Sequence, residues 1–289
     1  MERVQGRSMN EPIHPREGLQ ALFQLPDQAI DLAQAALLIA RDEYPDLELG
    51  PYLDRIDGMA ATVRARLRGG EGATSRIAHL NRHLFDDLGF RGNVAEYDDP
   101  RNSYLNDVLD RRLGIPITLS IVYLAVGVRS GVPLAGVSFP GHFLVRYAGR
   151  DLEEDLLIDP FHRGALLTPE QCRRRLLESF GGRIAYHPAL LRRASHREIL
   201  ERTLNNLKAG FETRRDYSRA LRVQNRMVGL KPDAPEPRRD RGLIEARLAL
   251  FEQAADDFDA YLAARPAAAD SAALRRQTRR LRMIAPGHN

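Results

Sequence analysis

Three positions in this chain follow the order of an acyl-transfer site. Two of them carry the residue types that such a site needs, and the third carries a residue without a reactive group. His142 is a candidate general base, and Asp159 is a candidate carboxylate that orients its imidazole. The nucleophile of such a site is expected at the N-terminus of a buried helix, where the helix dipole activates a thiol. The helix that follows Gly114 has Pro116 there. Because proline has neither a thiol nor an amide proton, we expect no acyl-enzyme at this position.

Ser120 and Cys172 are the other candidate nucleophiles, and both are better explained as structural residues. Ser120 lies one turn beyond Pro116 on the same helix face, but a serine in a buried helix usually donates to the carbonyl of residue i−4, here Pro116. Cys172 follows His142 and Asp159 in the chain, and we expect a small, buried thiol there. His142 and Asp159 also have a structural interpretation, since a hydrogen-bonded pair can persist as a strut or a recognition pair.

The elements that position these residues are predicted to be a central helix and an antiparallel sheet. Residues 116–126 are apolar on almost every face, which predicts a buried helix with Pro116 in its first turn. Apolar periodicity predicts further helices, and short apolar or alternating runs predict strands. The predicted helices cover 27–43, 51–67, 74–88 and 168–180, and the predicted strands cover 134–139, 142–147 and 156–159. The predicted fold class is α+β.

Asn102, Asn106, Arg112 and Ser120 are predicted to line a binding cleft near the start of the central helix. Asn102 and Asn106 are one helical turn apart, and their alternative interpretation is a helix cap for Asn102 and surface exposure for Asn106. The histidines are scattered without paired spacing, and no glycine-rich loop is followed by Lys-Ser/Thr. We therefore expect no metal and no cofactor.

Composition limits the possible partners and compartments. The single cysteine excludes an intrachain disulfide and fits a reducing compartment. The longest apolar run, 35–40, is far below the roughly 18 residues of a membrane span. Residues 1–10 have no apolar signal region, so we expect a cytoplasmic protein without membrane association. From His196 onward, 19 Lys and Arg against 13 Asp and Glu give a charge of +6, but without aromatic–basic interleaving no nucleic-acid partner is expected.

The C-terminal part repeats itself. Tyr217, Ala220 and Pro232 recur 34 residues later as Phe251, Ala254 and Pro266, a period that resembles the tetratricopeptide repeat. The predicted helical pairs are 197–212 with 216–229 and 238–249 with 251–264, followed by a basic capping helix over 268–283. Two repeats are fewer than usually stand alone, so we expect the array to pack on the first domain.

Three motifs resemble those of the bacterial SirB family: RLGIPITLS over 112–120, FPGHFLVRY over 139–147 and IDPF over 158–161. Members of that family join a transglutaminase-like domain to C-terminal tetratricopeptide repeats. The resemblance places His142 at the catalytic histidine, Asp159 at the orienting aspartate and Pro116 at the nucleophile position. Together with the composition, it predicts a transglutaminase-like domain with a helical lead-in (17–182), a linker (183–195) and two repeats with a capping helix (196–289). Residues 1–16 are polar, contain Pro and Gly and lack periodicity, which predicts a flexible N-terminus.

Two functions are compatible with these features. The first is a pseudoenzyme, a non-catalytic transglutaminase-like protein that binds a peptide or protein through its cleft and repeat array; it rests on Pro116 and on the concave groove of stacked repeats. The alternative is an amide-bond hydrolase or acyltransferase that uses His142 and Asp159 with a non-standard nucleophile or water. We also expect the first domain to stay soluble when the residues after Ser195 are removed.

Overall fold

The computed structural model describes residues 18–149 and 156–284, so the predicted flexible segment 1–16 lies outside the described residues. The first part of the chain is helical, as its apolar periodicity predicts. Its helices are α1 (Leu19–Phe23), α2 (Leu32–Ala40), α3 (Gly50–Arg66), α4 (Ala73–Asn81) and α5 (Leu105–Arg111), and a π-helix, Arg82–Asp87, continues α4.

The helix predicted over 27–43 is shorter, because Asp31 interrupts it. A 3₁₀ turn, Asp27–Ala29, comes first, and the Asp31 carboxylate then accepts a hydrogen bond from the backbone N–H of Gln34 at 3.0 Å. That bond caps α2, satisfying one of the donors that a helix start leaves unpaired.

Helix α6 (Pro116–Ser130) is the central element of the first domain. All its residues except Val128 and Arg129 are buried, in agreement with its apolar sequence. Pro116 occupies the first position, where the missing N–H leaves no donor unpaired. Gly131 ends the helix with a φ of 91°, a conformation that glycine adopts without a Cβ penalty. Helix α3 packs along one side of α6.

Strands β1 (Arg91–Gly92) and β2 (Leu113–Gly114) form a short parallel pair just before α6. The main sheet is antiparallel with the order β3-β4-β5-β6. Its strands are β3 (Leu134–Val137), β4 (Leu144–Tyr147), β5 (Leu157–Asp159) and β6 (Ala165–Leu167). Alternate residues face opposite sides: Val145 and Ile158 join the core around α6, whereas Leu144 and Leu157 join a smaller core under α7 (Pro169–Phe180).

Two features of the sheet differ from the prediction. The strand expected over 142–147 begins at Leu144, so His142 lies in the turn that precedes β4. Strand β6 was not predicted, because its three residues show no apolar alternation. The capping box predicted at Thr168 is present: its hydroxyl accepts from Gln171 N–H at 3.2 Å, and the Gln171 side chain accepts from Thr168 N–H at 2.7 Å.

The C-terminal array has the predicted helical pairs. Its helices are α8 (His196–Thr213), α9 (Tyr217–Leu230), α10 (Glu236–Arg247), α11 (Phe251–Ala264) and α12 (Ser271–Ile284). The fold class is α+β, as predicted.

The first repeat packs on the first domain, as expected. Ile199, Leu204 and Met227 belong to the same core as α6. Arg219 on α9 forms an ion pair with Glu43 at 2.7 Å, and Arg226 forms one with Asp42 at 2.6 Å.

The segment predicted as a linker, 183–195, contains a 3₁₀ helix, Pro188–Leu191. Its Ala194 N–H donates to Gly136 on β3 at 2.8 Å.

The core shared by the first domain and the array argues that the first domain is not soluble without the array, contrary to the expectation from the sequence. Removing α8 would expose apolar side chains that are now buried.

Candidate functional site

His142 and Asp159 form the hydrogen-bonded pair that their order in the sequence predicts. Nε2 of His142 lies 2.9 Å from Oδ1 of Asp159. Asp159 ends β5 and is fully buried, whereas the His142 side chain is 20% exposed. Since Nε2 is held by the carboxylate, Nδ1 is the nitrogen left for a reacting group, the arrangement of a general base with its orienting acid.

Asp159 also binds two cationic or titratable side chains that the sequence did not associate with it. Its Oδ2 lies 2.7 Å from Nδ1 of His162 and accepts a hydrogen bond from Nη1 of Arg175, on α7, at 2.6 Å. Burial alone would raise the pKa of Asp159. Hydrogen bonding and charge from His142, with the bonds from Arg175 and His162, outweigh burial and hold that pKa well below its ordinary value. Asp159 is therefore a permanent anion at neutral pH.

The chain after Asp159 folds back so that His162 reaches its carboxylate. Pro160 begins a 3₁₀ turn, Pro160–His162, and Gly164 follows with a φ of 73°, so its N–H donates to the Asp159 carbonyl at 2.8 Å. The Gly164 carbonyl accepts from Nδ2 of Asn81 at 2.9 Å. Asn81 in turn accepts from the hydroxyl of Tyr123 on α6 at 2.8 Å. Partly buried hydrogen bonds therefore anchor this turn to α6.

Phe161 fills the space between this turn and the strand pair before α6. Its ring centroid is 6.1 Å from that of His142, with the planes nearly perpendicular, and 6.0 Å from that of Tyr97. A Cβ at Gly92 would come within 2.6 Å of the Phe161 ring, so a residue with a side chain at position 92 would displace it. Gly92 pairs with Gly114 of β2. The aromatic ring thus lies against the backbone next to the start of α6.

Pro116 begins α6 as predicted and is buried. The first position of this helix therefore carries no nucleophilic or ionisable side chain. The expected bond from Ser120 to the Pro116 carbonyl is absent: the buried Ser120 hydroxyl has no hydrogen-bond partner among the described residues. The N-terminal turn instead uses Thr118, whose hydroxyl donates to the Asn102 carbonyl at 2.6 Å and accepts from Ile115 N–H at 3.2 Å. The absence of this hydrogen bond does not make the Ser120 hydroxyl accessible to a substrate, since the exposed fraction of Ser120 is 0%.

The other predicted cleft residues lie near α6 but are largely hidden. Asn102 is fully buried and does not cap α5; its amide donates to the carbonyls of Glu96 and Tyr97, because the 96–102 loop folds around it. Asn106 is 5% exposed rather than a surface residue, and its Oδ1 has no partner among the described residues. Arg112 is exposed, ends α5 with a φ of 57°, and donates to the Leu88 carbonyl at 2.8 Å. Little of this set is available to a partner.

Two cavities flank the site. The first, the imidazole cavity, has a volume of about 310 Å³ and is lined by His142, His162, Arg175 and Cys172 among others. Burial raises the pKa of Cys172 to about 11, so this thiol stays protonated at neutral pH, as expected for a structural cysteine. The second, the junction cavity, also has a volume of about 310 Å³ and lies between the 97–103 loop, Ile115 and helix α8.

Comparison with known proteins places this chain in a family. Residues 51–205 match the transglutaminase-like superfamily and residues 207–279 match a tetratricopeptide repeat. A UPF0162 protein of Xylella fastidiosa (strain 9a5c) is 42% identical over 84% of this chain and 86% of its own length. The chain belongs to the UPF0162 family of transglutaminase-like proteins.

Other relatives show how far the similarity extends. The UPF0162 protein of Pseudomonas aeruginosa is 33% identical over 83% of both chains. Human F-box only protein 21 is 33% identical over 53% of this chain and 29% of its own length. No solved structure is significantly similar to the chain. Among the described residues, no helix combines the length and the apolar character needed to cross a bilayer.

The predicted architecture of a transglutaminase-like domain followed by tetratricopeptide repeats is thus confirmed. Sequence reasoning missed His162, Arg175 and Phe161 as neighbours of the His142–Asp159 pair. His162 carried a weak signal, because it follows Asp159 by one short turn. Arg175 carried none, since only the packing of α7 on the sheet brings it to Asp159.

Proposed function

We propose that this protein is a non-catalytic member of the transglutaminase-like superfamily, located in the cytoplasm, that binds a protein or peptide segment. One observation carries the proposal: Pro116 occupies the start of α6, where the family resemblance places the nucleophile, while the His142–Asp159 pair is kept. Packing of Phe161 against Gly92 supports it, because a bulky ring then takes up space beside the helix start. Tetratricopeptide repeats generally mediate protein–protein interactions, and this array contacts the first domain directly.

The junction cavity is the binding site that fits this function best, because both domains line it. Tyr97, 46% exposed, and Pro100 stand on the first-domain side next to Ile115. Asn206 and Gly210 stand one turn apart on α8, the first helix of the array. A half-exposed aromatic beside small and polar side chains is suited to holding an extended peptide segment.

The test blocks this cavity without disturbing the fold. A Cβ at Gly210 would meet no atom within 4 Å, so the position accepts a side chain, and Gly210→Arg places a long one on the cavity wall. Gly58→Arg is the matched control, because Gly58 is an exposed helical glycine on α3 with equally open surroundings. We expect affinity capture from a bacterial lysate, quantified by mass spectrometry, to recover a protein with wild type and with Gly58→Arg but not with Gly210→Arg.

Equal capture by all three proteins would contradict binding at the junction cavity. The non-catalytic part of the proposal is tested by turnover of a panel of amide and ester substrates. Hydrolysis or acyl transfer by wild type that is abolished in His142→Ala would refute it and establish the alternative function.

A further inference from the structure

The histidines that are scattered in the sequence converge in the fold. One nitrogen of His142, one nitrogen of His162 and a carboxylate oxygen of Asp159 all lie within 4.8 Å of one another. Asp159 is fully buried, while His142 and His162 are 20% and 54% exposed. The cluster therefore has a fixed anionic base and two imidazoles that open toward the imidazole cavity.

We propose that His142, Asp159 and His162 bind one divalent first-row transition-metal ion, of which Zn²⁺ is the best match. Two imidazoles and one carboxylate are a donor set that suits Zn²⁺ and its neighbours in the first row rather than Mg²⁺ or Ca²⁺, which prefer oxygen ligands throughout. Three protein ligands leave a coordination position for water or a bound molecule, the pattern of an open zinc site.

The distances are compatible with coordination after a small movement. Ligand atoms held at about 2.0–2.1 Å from a tetrahedral ion lie about 3.3 Å apart, so the widest pair here must close by at most about 1.5 Å. The exposed His162 can supply that movement, whereas Asp159 is held by the fold. The open coordination position would then face the cavity lined by Leu144 and Glu178.

Arg175 is compatible with this site as an outer partner of the carboxylate. It binds Oδ2 of Asp159, and we assign Oδ1 as the monodentate metal ligand. Oδ1 lies 2.9 Å from Nε2 of His142, so the ion would replace the hydrogen bond between these two atoms. Partners of this kind orient a ligating carboxylate in metal sites. The inference does not depend on the proposed binding of a protein, since both the ligands and the test concern the metal ion alone.

The experiment uses the full chain, freed of metal with a chelator. Zn²⁺ binding is measured by isothermal titration calorimetry, and Co²⁺ binding by the visible absorption of the coordinated ion. We expect one ion per chain and an affinity for Ca²⁺ far below that for Zn²⁺. The visible absorption bands of bound Co²⁺ should be those of an ion with nitrogen ligands. In His162→Ala, the Zn²⁺ affinity should fall by at least about 100-fold.

His187→Ala is the matched control, because His187 is an exposed histidine outside the cluster. It should bind Zn²⁺ as wild type does. Circular dichroism checks that His162→Ala, a change at a half-exposed side chain, remains folded. Absence of one-to-one binding in wild type, unchanged affinity in His162→Ala, or equal affinity for Ca²⁺ would each overturn the proposal.

Discussion

Replacing Asp159 by asparagine removes the charge on which the site is built. The carboxylate accepts hydrogen bonds from His142 at 2.9 Å, His162 at 2.7 Å and Arg175 at 2.6 Å, and from the backbone N–H of His162 at 3.3 Å. Asparagine keeps one acceptor oxygen and turns an NH₂ group toward these donors. The Asp159→Asn variant therefore loses hydrogen bonds at a position that is itself fully buried.

The size of the effect follows from the burial of the partners. Removing one member of a fully buried ion pair costs about 3–5 kcal/mol. His162 and Arg175 are 54% and 37% exposed and can regain water, so we expect the free energy of unfolding to fall by about 3 kcal/mol. In a protein of this size that loss corresponds to a decrease in Tm of about 6–12 °C.

The assay is urea unfolding at pH 7.5, followed by far-ultraviolet circular dichroism. Asp110→Asn is the control, because Asp110 also accepts two side-chain hydrogen bonds, from Tyr52 at 2.8 Å and Arg55 at 2.5 Å, but is half exposed. We expect this control to lose less than about 1 kcal/mol. If both variants lose the same amount, the burial argument is wrong.

The pH dependence gives a second check on Asp159. Because its pKa is lower in the folded than in the unfolded protein, its stabilisation is complete above the ordinary aspartate pKa and is lost as the pH falls toward the folded value. The difference in stability between wild type and Asp159→Asn should therefore shrink below about pH 4. A difference that stays constant down to pH 3 would show that the charge of Asp159 is not the source of its stabilising effect.

Two further predictions concern the array. Burial and the charge of Asp257 raise the pKa of Glu245 to about 7, so the folded state binds this proton more tightly than the unfolded state does. The stability of the protein therefore falls as the pH rises from about 4.5 to about 7. In urea unfolding, Glu245→Gln should stabilise the protein more at pH 8 than at pH 5, and equal effects at the two pH values would refute this. A chain ending at Ser195 should be insoluble because it lacks Ile199 and Leu204 of the shared core, whereas one ending at residue 234 keeps α8 and α9 and should stay folded, as judged by gel filtration.

The parts of the fold that sequence predicts well are those with local causes. The Thr168–Gln171 capping box fixes the start of α7, and the 34-residue period places α9 and α11 within about a residue or two. The break in the predicted helix at Asp31 was missed because an aspartate within an apolar periodicity can either cap a helix or lie on its surface, and the sequence does not distinguish the two. Strand β6 exists only because β5 offers it a partner edge.

The site was predictable to the extent that it depends on motifs. The family pattern identified His142, Asp159 and Pro116, and the hydrogen bond between the first two is present. Arg175 reaches Asp159 from another element, through tertiary packing that has no sequence period. Asn102 was predicted to line a cleft, with a helix cap as the alternative, but the loop before it folds around its amide and buries it. Neither the packing of Arg175 nor the folding of this loop follows a sequence period, so apolar periodicity does not predict them.

Pro116→Cys, in a Cys172→Ser background that leaves one thiol, tests the central claim that this fold keeps the geometry of a thiol site without its nucleophile. The rate of alkylation by iodoacetamide is measured against pH. If the N-terminus of α6 and His142 both act on position 116, the thiol should titrate at least about one unit below the ordinary cysteine pKa of about 8.5 and react readily at neutral pH. A pKa at or above about 8.5, the direction in which burial mainly shifts the pKa of the native Cys172, would contradict the claim.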